Sequence, residues 1–485
     1  MWDVVLPIEN ESETPLFLQI AQGIISSIKG GRLQPGDRLP GSRSLAEQLK
    51  VHRNTVLSSY EELASQGWLH FEQARGTFVS KELPDHRSGF SIAKPSQLSD
   101  TLGFPLQGNV EGRDYADFPS NLLALNGGIP ELEQLPFAEF HRAYRRVIKK
   151  KGKTLLNYGS PHGYLPLREA LVRMLSLRRG LALNEEQIVL TRGSQMALYL
   201  IAQALVRPGD VVGVESFGYQ PAWQAFRMAG AHLQPIPVDE HGLRIDILEN
   251  TLKRMKIRAL YITPHHQFPT QVTLSVGRRM RLLELAKEHS FAVIEDDYDH
   301  EFHYDGRPVL PLASMDSQGV VVYVGTLSKV LAPGLRLGYA VAPRPLIQEL
   351  IHLRRYIDRQ GSHSEEAVLA ELFEEGQVER HIRRMRRVYR ERREHFHDAI
   401  QTHLPEILSY SLPRGGLAIW AKVSENIDLG LWQKHCIQNG VSYICGVEYA
   451  FDRQPIPFVR MGFAHYQPSL LVEAVLRMKA ALEQM

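Results

Sequence analysis

The sequence predicts two units of different class. A small α+β winged helix-turn-helix is expected over residues 1–80, and a large α/β domain over residues 120–485 with a C-terminal α+β subdomain from about residue 344. Three observations predict this. Residues 16–66 hold three short stretches with helical apolar spacing, and two short extended runs follow them. From about residue 120, apolar strand-like runs alternate with helical patterns, as in a mostly parallel sheet. Between the two, residues 81–119 lack periodicity and hold Pro84, Pro95, Pro105 and Pro119, which is linker composition.

Leu16, Ile20, Ile24 and Ile28 recur at four-residue steps, predicting a first helix that stops at Gly30-Gly31. A second helix is expected from Ser42, a good N-cap residue, with Leu45, Ala46 and Leu49 inward. A third is expected from Arg53 to Gln66, with Val56, Tyr60, Leu63 and Ala64 inward and Gly67 as its stop. Trp68 to Glu72 and Thr77 to Ser80 then read as a hairpin around Gln73-Ala74-Arg75-Gly76. Helices joined by a tight turn and followed by a hairpin form a winged helix-turn-helix. The start of the third helix carries Arg53, Asn54 and Thr55, residue types that contact bases and phosphates from the helix end entering a major groove. Arg43 can reach the backbone, and Arg75 and Thr77 on the wing can reach phosphate or the minor groove. Bulk charge does not carry this reading, because residues 1–80 hold 7 Lys/Arg against 9 Asp/Glu. Placement carries it, so one copy is expected to bind DNA weakly and dimerisation to matter. A flexible linker of 39 residues (81–119) spans about 34 Å root-mean-square.

In the large domain, Lys329 lies in Gly325-Thr326-Leu327-Ser328-Lys329, between strands expected at 320–324 and 339–342. Arg336 follows a Pro333-Gly334 turn. A lysine beside two hydroxyls and an arginine suits a Schiff base with an aldehyde cofactor whose phosphate Thr326, Ser328 and Arg336 hold. Upstream, Val293-Ile294 runs into Glu295-Asp296-Asp297-Tyr298-Asp299, an apolar strand ending in acids where an open α/β sheet places ligand groups. Thr191 to Ala197 follows a strand and opens a helix, so Gly193, Ser194 and Gln195 offer helix N-terminal donors to a phosphate. Tyr219 follows the strand Val211 to Glu215, where its ring can stack on a cofactor.

With 44% hydrophobic and 23% charged residues the chain is ordinary for a globular protein. No run of eighteen apolar residues predicts a membrane span, and Met1-Trp2-Asp3-Val4-Val5 lacks the pattern of a signal peptide. Two cysteines, Cys436 and Cys445, fit a reducing cytoplasm. None of the 20 histidines shows zinc-type spacing with a cysteine, so no metal is expected; His265-His266 is the one close pair in a candidate site. Eight arginines between Glu379 and Arg393 predict a solvated or interface helix, with a contact to DNA backbone as the alternative.

The Lys329 segment resembles that of fold-type-I enzymes of the aspartate aminotransferase superfamily, which use pyridoxal 5'-phosphate (PLP). The resemblance implies an internal aldimine at Lys329. It implies that Asp296, with Asp297 as rival, pairs with the pyridine nitrogen and that Tyr298 meets the ring hydroxyl. Pro457 to Ala464 resembles the family's C-terminal motif, which makes Arg460 the partner of an effector or substrate carboxylate. Asn126-Gly127-Gly128, Tyr158-Gly159, Gly163-Tyr164 and Leu167-Arg168 resemble substrate-entry segments. The loop Thr263 to Thr270 departs from the family pattern. Phe268 stands where an asparagine usually is and Gln271 where a glycine usually is, which leaves Gln267 or His266 to bond the ring oxygen.

Residues 12–80 resemble the GntR-type winged helix in Pro15-Leu16, Gln19-Ile20, Leu39-Pro40, Ser42-Arg43, Leu45-Ala46, Arg53, Thr55-Val56, Tyr60 and Gly76-Thr77-Phe78-Val79. Gly41 and His52 replace usual serines, and the second change is expected to weaken the recognition helix by about 0.5–1 kcal/mol. The whole resembles the MocR family of bacterial transcriptional regulators. That resemblance implies a cytoplasmic homodimer, head-to-tail and domain-swapped, on double-stranded operator DNA, sensing PLP and/or a small amino compound, with no membrane role. A true PLP-dependent aminotransferase with an ancillary DNA-binding segment is the alternative.

Overall fold

The computed structural model describes residues 6, 8–9, 12, 14–84, 104–105 and 122–485. The linker expected over 81–119 lies almost wholly outside the described residues. The chain divides into two units, Met1–Tyr115 and Ala116–Met485.

In the first unit the four-residue apolar spacing becomes helix α1 (Leu16–Lys29), with Ile20, Ala21, Ile24 and Ile28 inward. Helices α2 (Ser42–Leu49) and α3 (Arg53–Ser65) pack on it through Leu45, Val56 and Leu63. Each such buried side chain contributes about 1.5–3 kcal/mol. The Ser59 hydroxyl donates to Phe17 O at 2.8 Å and the Tyr60 hydroxyl to Pro40 O at 2.8 Å, tying α3 to both preceding segments. Two expectations need correction. Gly41, not Ser42, is the N-cap of α2 and makes no side-chain cap; Ser42 instead accepts from Arg53 Nε at 3.2 Å. The start of α3 is not left uncapped, because His52 Nδ1 accepts from Asn54 N at 3.2 Å, as a serine oxygen would. At the other end Gly67, with φ +79°, lets Trp68 N reach Leu63 O at 2.9 Å. The chain then enters the antiparallel hairpin of β1 (Leu69–Glu72) and β2 (Gly76–Val79).

The second unit begins with a short strand, Leu123–Ala124, that pairs in parallel with Val441–Ser442 near the chain's end. The C-terminal subdomain is therefore not made of residues beyond 344 alone. Helices α4 (Phe137–Leu155) and α5 (Leu165–Arg179) follow. A seven-stranded sheet comprises β3 (Ile188–Thr191), β4 (Val211–Glu215), β5 (His232–Ile236), β6 (Ala259–Ile262), β7 (Ala292–Asp297), β8 (Val321–Thr326) and β9 (Gly338–Val341), in spatial order β3-β9-β8-β7-β6-β4-β5. Only β9 runs antiparallel to its neighbours. Every residue of β3, β6, β8 and β9 is buried, which is why these strands read as continuous apolar runs without alternation. Helix α6 (Gly193–Leu205) springs from the end of β3.

Helix α7 (Gln377–His403) carries the arginine cluster. Arg380, Arg383, Arg384, Arg386, Arg387 and Arg390 are exposed, as expected. Arg392 and Arg393 are buried, the first paired with Glu131 at 2.6 Å and the second with Asp305 at 2.5 Å. A four-stranded antiparallel sheet completes the unit: β10 (Leu408–Ser409), β11 (Ala418–Val423), β12 (Ile444–Cys445) and β13 (Phe458–Gly462), in order β10-β11-β13-β12. Among the described residues no helix is long and apolar enough to cross a membrane.

Candidate functional site

The parallel strands β4, β6, β7 and β8 are neighbours and deliver their carboxyl ends to one edge of the sheet. A cavity of about 170 Å³ opens there. It gathers Ser194, Gln195, Tyr219, Asp296, Tyr298, Thr326, Ser328, Lys329, Arg336 and Arg460, all chosen from sequence, together with Gly127, Gly128, Tyr261, Thr263, Phe268 and Pro333.

Strand alternation separates the two candidate acids of β7. Asp296 faces the cavity, where Tyr261 donates to its Oδ2 at 2.8 Å and its Oδ1 is buried without a hydrogen-bond partner. Burial pushes its carboxyl up to about 7, against the Tyr261 hydrogen bond. Asp297 faces the other way. It accepts from the Tyr323 hydroxyl at 2.6 Å and lies 3.4 Å from Arg179 and 3.2 Å from His300 Nδ1. Burial opposes its charge, but His300 and Arg179 outweigh burial and hold it well below the usual carboxylate range. Arg179 also pairs with Glu301.

Lys329 is half-buried and its Nζ donates to Gly128 O at 2.5 Å. Burial, and then Arg460, push its amine down to about 8. Arg460, on β13, is 2% exposed, and its Nε is buried without a partner. Its guanidinium lies 4.7 Å from the Phe268 ring centroid. At the start of α6, Gly193 has φ +76°, and a Cβ there would come within 2.8 Å of an Arg336 guanidinium nitrogen. Gly193 does not itself line the cavity but sets the close approach of Arg336. Thr191 Oγ1 donates to Gly193 O at 2.9 Å and steadies this turn. The first-turn N–H groups of a helix have no partner within it.

The proposed substitutes for the family asparagine are not at the cavity. Gln267 Nε2 donates to Phe217 O and Phe268 O, and His266 Nδ1 bonds Asp299. Phe268 fills the position itself, edge-on to Tyr219 and Tyr298 at 5.8 and 6.0 Å. The Tyr298 hydroxyl donates to His266 O at 3.1 Å and accepts from Gln271 Nε2 at 3.2 Å. Tyr261 and Thr263 were not foreseen. Their two-residue spacing at the end of an apolar strand was the available signal.

In the first unit Arg43, Arg53 and Asn54 are exposed, and Thr55 and Thr77 are half-buried. Arg75 is exposed but paired with Glu72 at 2.6 Å, so its charge is partly spent on the wing. Arg38 was missed. It is exposed and lies against the wing, where a Cβ on Gly76 would be 3.1 Å from its Nε.

Residues 120–477 match the family described as aminotransferase class I and II. The chain belongs to that family. Residues 16–79 match bacterial regulatory proteins of the gntR family, so a gntR-type DNA-binding region is fused to the aminotransferase domain. "Probable rhizopine catabolism regulatory protein MocR" of Rhizobium meliloti is 29% identical over 483 residues, covering 98% of this chain and 96% of that one. Aromatic-amino-acid aminotransferase 1 of Thermococcus litoralis is 31% identical over 370 residues, covering 75% of this chain and 89% of that one. The crystal structure of a multiple substrate aminotransferase from Thermococcus profundus superposes with a TM-score of 0.71 at 31% identity, over 76% of this chain and 92% of that one. The cofactor of this family is PLP. The cavity's chemistry fits that group: an unpartnered buried carboxylate oxygen on Asp296, a lysine held below its ordinary basicity, and a helix N-terminus beside Arg336.

Proposed function

We propose that this protein is a PLP-binding transcriptional regulator. It senses PLP, and/or a small amino-compound effector, through Lys329 and transmits the signal to DNA-binding regions. The observation that carries the reading is a cavity that gathers Lys329, Asp296 and Arg336 on the same chain as a gntR-type region. Bound PLP supplies an aldehyde carbon and an electron-withdrawing ring. The residues divide the remaining tasks. Lys329 attaches the cofactor through the deprotonated form of its amine, and Asp296 Oδ1 accepts a hydrogen bond from the pyridinium N–H, which keeps that nitrogen protonated. Ser194, Gln195, Thr326, Ser328 and Arg336 hold the phosphate, with Gly193 permitting the close approach of Arg336. Tyr219 stacks on the ring, Tyr298 meets its hydroxyl, and Arg460 takes the effector's carboxylate. Arg43, Arg53, Asn54, Thr55, Arg75 and Thr77 contact the operator. The chain works as a head-to-tail, domain-swapped homodimer in the bacterial cytoplasm. An effector shifts the dimer between DNA-binding states only by its differential affinity for them.

Lys329→Ala tests the reading. It should abolish the visible absorbance of the cofactor-bound chain and leave DNA binding indifferent to PLP and amines. A normal ligand response in that variant would overturn the mechanism. Arg460 favours a second reading, a true aminotransferase, since a buried arginine with an unpartnered Nε suits a substrate carboxylate equally well. Sustained turnover with amino-donor and keto-acceptor panels would establish that reading over the first.

A further inference from the structure

Behind the cavity, two segments of the large domain bring four imidazoles together. The His265 ring centroid lies 4.3 Å from those of His266 and His300 and 6.0 Å from that of His303. The His266 and His303 rings are 6.1 Å apart and nearly parallel, with an interplanar angle of 4°. His265 and His266 are 3% and 2% exposed. One ring nitrogen from each of His265, His266 and His303 lies within 4.8 Å of the other two. Both nitrogens of His265, Nε2 of His266 and Nδ1 of His303 are buried without a hydrogen-bond partner. A purely structural histidine cluster would spend these atoms on carbonyls or carboxylates.

His266 shows what the arrangement suits. Its Nδ1 bonds Asp299 Oδ1 at 2.8 Å, and Asp299 is 1% exposed. A carboxylate on one ring nitrogen fixes the proton there and leaves the other as a lone pair, as in imidazoles that ligate metals. Gly415 packs against that nitrogen: a Cβ there would sit 2.3 Å from His266 Nε2, so any larger residue would cover the lone pair.

We propose that His265, His266 and His303 form a site for a divalent transition-metal cation of the zinc class, with Asp299 orienting His266. Three imidazoles favour zinc, copper, nickel or iron over magnesium and calcium, which prefer oxygen ligands. His300, 3.2 Å from Asp297 Oδ2, packs behind His265 and is not a ligand. Tetrahedral zinc–nitrogen bonds of about 2.0–2.1 Å place ligand nitrogens about 3.4 Å apart, so binding requires the rings to close by up to about 1.4 Å from their separations of within 4.8 Å. Local His/Cys spacing gives no sign of the site, because its ligands come from two separate segments and include no cysteine. The site adjoins the cavity through one loop: Tyr298 donates to His266 O, and Phe268, two residues on, lines the cavity. A bound cation would hold that loop, and with it two walls of the cavity.

The test uses the tag-free full chain, stripped with chelator and titrated with Co²⁺ and then Zn²⁺. The expected result is one equivalent of Co²⁺ per chain, giving the visible spectrum of a low-coordinate ion that Zn²⁺ bleaches. His303→Gln, at the least buried ligand, should weaken binding at least tenfold, and Asp299→Asn by about 10–100-fold. Circular dichroism establishes that each variant is folded, and His303→Gln decides the matter if Asp299→Asn does not fold. Absence of stoichiometric binding by the unsubstituted chain, or unchanged affinity in both variants, would overturn the site. Neither outcome depends on the PLP reading, because the readout is metal binding.

Discussion

The cofactor cavity and the groove face of the winged helix treat their charged residues in opposite ways. In the cavity Asp296 and Arg460 are 4% and 2% exposed, and each keeps a buried polar atom with no partner. On the winged helix Arg53 and Asn54 lie open to water, and Arg53 makes one bond, to Ser42. A buried polar atom without a hydrogen-bond partner is costly to keep, so its presence points to a missing ligand. An exposed charge costs almost nothing and says little until its partner arrives. The cavity can therefore be reasoned from energetics, whereas the groove face must be reasoned from position.

The comparison breaks most sharply at Arg179, which neutralises Asp297 and Glu301 behind the cavity. Arg179→Met should cost about 3–5 kcal/mol, because it leaves buried carboxylates uncompensated; urea unfolding of the full chain measures this. An exposed arginine such as Arg43 should cost less than about 0.5 kcal/mol in the same assay.

A smaller effect comes from Asp296. Folded and without cofactor, it keeps its proton up to about 7, whereas an unfolded aspartate loses it near about 4. Between those values the folded chain binds more protons than the unfolded one, so stability falls as pH rises from about 4 to about 7. Glu215 and Glu295, also pushed up to about 7 by burial, act in the same direction. Asp296→Asn should flatten that decline by a few kcal/mol at most, read from unfolding midpoints across this range.

On the groove face, Arg53→Ala should weaken operator binding by about 1–3 kcal/mol while leaving cofactor absorbance and melting temperature unchanged. Fluorescence anisotropy on operator and scrambled DNA separates loss of base readout from loss of phosphate contact. A smaller effect than that on operator binding belongs to His52→Ala, which removes the Nδ1 cap of α3 and should lower stability by about 0.5–1 kcal/mol.

Sequence reasoning reached furthest where chemistry is local. The Lys329 segment, the Asp296 strand end and the Gly193 turn could each be read from neighbours in the chain, and all three meet at one edge of the sheet. Local reasoning ran out where contacts come from afar. The choice between Asp296 and Asp297 needed to know which strand face meets the cavity. The destinations of Gln267 and His266 depended on Phe217 and Asp299, which no local pattern connects to them. His52 misled for another reason: a ring nitrogen can cap a helix as an oxygen does, a possibility that propensity scales rank low.

At Gly193 and Gly338 the backbone passes so closely that a Cβ on Gly338 would lie 2.4 Å from Gly193 C and 2.6 Å from Ser194 N. Any coding change at Gly338 adds that atom. It would push the start of α6 off β9 and carry the Gly193 and Ser194 amides with it. Other walls of the cofactor cavity can be varied one side chain at a time, whereas a change at this seam displaces the helix and the strand together.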